Sequence, residues 1–150
     1  MSLLIKNGRI ITAADNYVAD IYIENEKITT IGKNLQIKAD KIIDANNKII
    51  VPGGIDPHVH LDMPFMSTSS SDNFETGTRA ALFGGTTGVI DFIIQSKGGT
   101  LNEALKAWKH KATNNTFCDY GFHFAVTDFN ETTKAEIKDM IEKEGITSFK

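Results

Sequence analysis

The chain has one cysteine, three prolines and one tryptophan in 150 residues. The single thiol, Cys118, has no partner for an internal disulfide, so no disulfide frame holds this fold. Its neighbours Phe117, Tyr120 and Phe122 make an apolar setting that reads as core. The prolines all fall between residues 52 and 64, which leaves the rest of the chain free of their backbone breaks. No basic excess is present: 16 Lys and Arg against 19 Asp and Glu give a net charge of −3, which argues against nucleic acid or an anionic membrane as partner. No apolar run approaches the roughly 18 residues of a membrane span. The opening Met1-Ser-Leu-Leu-Ile-Lys6 lacks the basic start and continuous apolar stretch of a signal peptide. Cytoplasm is the expected compartment. What remains is a chain 41% hydrophobic, ordinary for a packed domain.

Two rhythms divide the chain. Residues 1–50 read as all-β: Asn7-Gly8, Glu24-Asn25-Glu26 and Ala45-Asn46-Asn47 each stand between short β-prone runs, predicting hairpin turns in a small meander. Such a sheet needs a partner to bury its second face. From residue 51 the pattern becomes strand, helix, strand. Asp72 to Glu75, Thr100 to Glu103 and Thr133 to Glu136 set a capping residue three positions before a glutamate, which predicts three helix starts. Leu101, Ala104, Leu105, Trp108 and Ala112 form one apolar stripe, and Ile137, Met140 and Ile141 another. Gly84-Gly85 and Gly145 stand where helices should end. The runs 86–94, 120–126 and 146–149 are apolar and β-prone, as buried parallel strands are. Four strands and three helices amount to about half of an eight-fold barrel; an open, doubly wound sheet is the rival topology, and periodicity does not choose between them.

The residues with the most chemistry lie in Val51-Pro-Gly-Gly-Ile-Asp56-Pro-His58-Val-His60. A strand alternates faces with period two, so Asp56, His58 and His60 share a side. Two imidazoles about 7 Å apart on one strand face can lean toward a single cation. The bland alternative is a pair of polar residues on a solvated strand. Asp56 reads equally as a support for an imidazole or as a turn-forming acid before Pro57. Elsewhere His110 and Trp108 fall on a predicted outer helix, and His123 lies in an apolar strand, where a core histidine is the plain reading. Gly53-Gly54, Gly84-Gly85 and Gly98-Gly99 lack the spacing of a phosphate-cradling loop.

Three segments together resemble one family. Pro52-Gly-Gly-Ile-Asp-Pro-His-Val-His-Leu-Asp-Met-Pro-Phe65 is similar to the metal-binding opening of the amidohydrolase superfamily, in particular its dihydropyrimidinase and D-hydantoinase branch. Phe74 to Phe92 resembles the first barrel helix and second strand of those enzymes, and Glu144 to Lys150 resembles their strand ending in a carboxylated lysine. The resemblance implies an α/β fold: the N-terminal part of a (β/α)8 TIM-type barrel over residues 51–150, preceded by a β-rich part of a sandwich over residues 1–50. It implies a longer chain that continues past a modified Lys150 and carries two further histidines, an aspartate serving as proton shuttle and a tyrosine.

The same resemblance implies a chemistry. His58 and His60 would hold a divalent ion, Zn²⁺ by ligand softness, and Lys150, as a carbamate formed with carbon dioxide, would bridge it to a second. A hydroxide between the two metals would open cyclic amides, 5-substituted hydantoins and dihydropyrimidines, to N-carbamoyl amino acids. Asp56 would support the ligands from behind. Relatives acting on dihydroorotate or allantoin carry an arginine where this chain has Asp62. The apolar Met63-Pro-Phe65-Met66 that follows suits a neutral ring, with Met63 and Phe65 as substrate contacts; a loop packed for stability is the alternative. A homotetramer is implied as well. The competing function is a non-catalytic, oligomeric scaffold of the dihydropyrimidinase-like kind, against which the intact set His58, His60 and Lys150 speaks.

Overall fold

The computed structural model describes all 150 residues, Met1–Lys150, as two compact units, Met1–Pro52 and Gly53–Lys150. The fold is mixed α/β. In the first unit β1 (Ser2–Ile11), β2 (Asn16–Glu24), β3 (Lys27–Gly32), β4 (Lys41–Asp44) and β5 (Ile49–Ile50) form one sheet in the order β3-β2-β1-β4, with β5 also on β1. The β2–β3 hairpin forms as its sequence suggests, closing on Asn25 and Glu26, both at positive φ.

Asn7-Gly8 does something else. No hairpin forms there; β1 runs straight through. Between Ile5↔Ile21 and Gly8↔Ala19 the strand advances three residues against two on β2, which is a bulge. Asn7 takes the positive φ of 61° that the extra residue needs, and its N–H donates to the buried Asp20 carboxylate at 2.8 Å. The expected third hairpin is also replaced. Ala45–Lys48 make a turn, yet β4 and β5 pair with β1, both in parallel, rather than with each other. The meander is therefore broken by a parallel crossover.

The second unit contains β6 (Gly54–Val59), a short hairpin of β7 (Pro64–Phe65) and β8 (Thr68–Ser69), α1 (Phe74–Phe83), β9 (Thr86–Ile94), α2 (Leu101–Ala112), β10 (Asp119–Ala125) and α3 (Glu131–Glu142). Its main sheet is parallel, in the order β10-β9-β6. A parallel bridge from Phe124 to Phe149 adds the segment 146–150 beyond β10. Each strand thus lies beside the one before it, with no reversal of order.

Local rules set the helices. Thr100 caps α2 with Glu103 closing the box, as the spacing requires, and all five residues of its apolar stripe are buried. α1 is capped by Asn73 with Thr76, one residue later than the Asp72–Glu75 spacing suggests. α3 begins at Glu131 under Asn130, so Thr133 lies inside the first turn and not at the cap. There its hydroxyl is buried, donating to Asp128 O and accepting from Gln95 Nε2. One face of the sheet packs Val89, Ile93 and Phe124 against Leu101, Leu105, Trp108 and Met140. Cys118 packs at the rim of this core, and burial pushes its thiol up.

Candidate metal centre

The opposite face of the same sheet carries the histidines of β6 and β10. β6 and β9 lose register between Asp56↔Val89 and Val59↔Asp91, three residues against two, so β6 bulges at Pro57-His58. Proline suits such a position because it has no N–H to offer a ladder, and a bulge re-aims the side chain it carries. The Asp56 carboxylate accepts from the His58 backbone N–H at 3.1 Å. The expected imidazole support is thus absent: Asp56 fixes the backbone of the bulge, because the extra residue turns that N–H toward it.

His58 and His60 both lie over the ring of Phe92, with centroids 4.6 and 5.4 Å away. Their own centroids are 5.2 Å apart and the rings nearly perpendicular. Two imidazoles on a tetrahedral Zn²⁺, with bonds of about 2.0–2.1 Å, hold their centroids about 5 Å apart. The pair fits. Partial burial first, then the His58 ring and Lys150, hold the His60 imidazole below its usual range, which favours the neutral ring that a metal requires. Lys150 Nζ stands over the same Phe92 ring at 5.7 Å. No third His, Cys, Asp or Glu stands close enough to His58 and His60 to hold an ion with them. As an ammonium Lys150 opposes a cation; as a carbamate it fits one.

His123 belongs to this face too, a role its apolar strand conceals. It is paired in register with Phe92, its ring centroid 4.8 Å from the phenyl. One nitrogen, Nε2, lies 2.9 Å from Pro57 O, and Nδ1 meets Ser148 Oγ. On the other face the fully buried Asp91 accepts from Phe92 N at 2.8 Å, Trp108 Nε1 at 3.2 Å and Leu61 N at 3.3 Å. Burial pushes its carboxyl up to about 6. Asp91 thereby ties the residue after His60 to α2. An acid inside the run 86–94 is the sequence signal for it; Phe92 has none.

Beyond His60 the chain turns away. Asp62 sits 3.7 Å from Lys111 Nζ, which also donates to Asp62 O at 2.6 Å. Position 62 therefore faces α2. Met63 is half-buried, its N–H held by Ser70 Oγ at 2.9 Å, whereas Phe65 and Met66 are 56% and 84% exposed on the hairpin. Met66 and Ser67 turn that hairpin at φ 44° and 67°, positions that ordinarily call for Gly or Asn. His110 is exposed on α2, away from the cluster. No helix is long and apolar enough to cross a membrane.

Comparisons with known proteins agree with one another. A D-hydantoinase of Geobacillus stearothermophilus is 50% identical over 150 residues, all of this chain and 32% of the relative. A dihydropyrimidinase of Rattus norvegicus is 41% identical over 99% of the chain and 30% of its own length. The crystal structure of dihydropyrimidinase from Brevibacillus agri NCHU1002 superposes with a TM-score of 0.96 at 48% identity, over 99% of this chain and 32% of that one. The chain thus spans about a third of the length of the relatives it matches. The family model described as the amidohydrolase family covers residues 49–148, a stretch that includes the strand, the bulge and both histidines, and the chain belongs to that family.

Proposed function

We propose that this chain supplies part of the metal site of a hydrolase that opens cyclic amides, 5-substituted hydantoins and dihydropyrimidines, to N-carbamoyl amino acids. The observation that carries the reading is the convergence of His58, His60 and Lys150 on one phenyl ring, Phe92, with the imidazoles at a spacing that suits one tetrahedral ion. The names of the relatives support the substrate class.

His58 and His60 would hold one ion through neutral nitrogens. Lys150, once its ammonium has given up a proton, would form an N–C bond to carbon dioxide and release a second proton, so that a cationic side chain becomes a two-oxygen anion suited to holding divalent ions. When bound, two divalent ions, Zn²⁺ by donor type, supply an activated water and polarise the scissile carbonyl. The Asp56 carboxylate keeps the His58 backbone in place. The unreversed strand order supports the reading of a (β/α)8 barrel, whose catalytic residues gather at the C-terminal ends of its strands; His58, His123 and Lys150 all lie toward those ends. Met63 and Phe65 form the wall beside the ring substituent. The sandwich partner of residues 1–50, the proton-shuttling aspartate, a homotetramer and a cytoplasmic setting belong to the same reading.

The test is ring opening by the complete protein, followed as loss of dihydrouracil or 5-phenylhydantoin absorbance. Activity that a chelator removes, that Zn²⁺ restores, and that His58→Ala lacks supports the proposal. Turnover unaffected by the chelator, or no turnover of either ring by the metal-loaded protein, overturns it.

A further inference from the structure

His123 is a polar side chain of this face that the proposed metal set does not use, and its two contacts lie beside members of that set. Nε2 meets Pro57 O at 2.9 Å, one residue before His58. Nδ1 meets Ser148 Oγ, two residues before Lys150. A carbonyl oxygen only accepts, so Nε2 carries the proton. Pro57 O is free to accept because the bulge at Pro57-His58 takes it out of the regular ladder.

The span matters. In a flat sheet β6 lies two strand spacings from β10 and three from the segment 146–150, about 14 Å. His123 starts from β10, between the two: it meets Ser148 on the adjacent segment and reaches Pro57 O across β9, over Phe92, which it also touches. The elements it ties together are the ones that bear His58 and Lys150.

Resting on the reading of His58, His60 and Lys150 as metal-holding residues, we infer that His123 is a positioning residue: as the Nε2–H tautomer it clamps the His58 bulge to the Lys150 segment and sets the distance between the two sides of the metal centre. It touches neither substrate nor metal. Replacing its ring by one that fills the same space without hydrogen bonds leaves the face packed and the backbone bonds between Phe124, Val126 and residues 148–150 intact, and removes the one side-chain link from that segment to the His58 bulge. Glutamine, whose terminal amide N–H reaches as far as Nε2, restores the contact to Pro57 O. Asparagine, which ends near the position of Nδ1, does not.

The probe is Co²⁺, added to the metal-free complete protein and read by its visible absorption, with His58→Ala as the control. The expected result is a fall in Co²⁺ affinity of about 10- to 100-fold in His123→Phe, typical of removing a group that supports a metal ligand, with an altered band shape. His123→Gln returns to within about threefold of the unaltered protein and His123→Asn stays with phenylalanine. In the metal-free protein, the His123 Nε2–H should give a slowly exchanging proton resonance that is lost in Ser148→Ala or shifted by it. Unchanged Co²⁺ affinity and spectrum in His123→Phe, while His58→Ala loses both, overturns the clamp, whatever happens to the melting temperature. If His58→Ala binds Co²⁺ as the unaltered protein does, the metal reading itself fails and the clamp falls with it.

Discussion

The two ends of the parallel sheet in the second unit face the same side and are built differently. Toward the C-terminal ends of its strands, His58, His60, Phe92, His123, Ser148 and Lys150 pack ring against ring and share hydrogen bonds. Toward the N-terminal ends, Ile55, Gly88, Ile90 and Gly121 line an apolar hollow of about 370 Å³ with Gly53, Thr87 and Tyr120. The strands are the same, and each end has a break in register, β6 at Pro57-His58 toward one and β9 at Thr87 toward the other; it is the side chains that differ. The histidines cluster at the β6 bulge, which carries a proline, whereas glycines and isoleucines, with Asp119 at the edge, line the end where β9 shifts at Thr87. The candidate metal-holding residues thus lie at one end only.

Breaking the polar end should have the largest effect. His60→Ala in the complete protein should reduce bound Zn²⁺ by more than about a hundredfold in affinity, beyond the range for residues that merely support a ligand, and abolish ring opening. Metal analysis and turnover check it. Breaking the core beneath both ends should cost stability instead. Phe124, fully buried, replaced by alanine should lose about 3–5 kcal/mol in denaturant unfolding, with the Co²⁺ spectrum of the remaining folded protein unchanged.

Asp91 sharpens the contrast through pH. Its folded carboxyl sits near 6 against an ordinary 3.8, so the fold favours the protonated acid. That contribution is complete below about pH 4 and is lost as pH rises through about 6, a loss on the order of 3 kcal/mol. Asp91→Asn should flatten stability between those limits, as measured by urea midpoints across the range. A slope unchanged by the substitution removes Asp91 as its cause.

Two smaller effects compare the ends directly. Phe65→Ala should slow 5-phenylhydantoin more than unsubstituted hydantoin, by about tenfold, the worth of roughly 1.4 kcal/mol of apolar contact; equal losses on both rings remove the hairpin from the substrate site. Ile55→Ala, at the apolar end, should leave metal content and KM within error.

Much of this was legible where the determinant is local. Thr100 and Glu103 are three residues apart, and their box forms as read; the α2 stripe is buried as its periodicity requires. Signals that serve two structures were misread. Asn7 supplies a positive φ, which a bulge needs as much as a turn does. The start of α3 was placed late because Thr133 has a capper's side chain, while Asn130 takes the cap and Thr133 spends its hydroxyl on Asp128 O. The β7–β8 hairpin has no sequence signal at all, since Met66 and Ser67 are poor turn formers. In the candidate site the shared face of His58 and His60 is legible from strand alternation and Lys150 only through the family likeness, whereas the places of Phe92 and His123 are legible from neither. The partners of His123 lie 66 and 25 residues away in the chain, and only folding brings them together.

The most direct test of the metal face is anomalous diffraction at the zinc edge from crystals of the complete protein grown with Zn²⁺ and bicarbonate. The account predicts one peak bonded to nitrogens of both His58 and His60, a second beside it, and density for a carboxyl group on Lys150 Nζ between them. A zinc-loaded crystal in which His58 and His60 bind no ion, or in which Lys150 remains a free amine stacked on Phe92 beside bound metal, would contradict it.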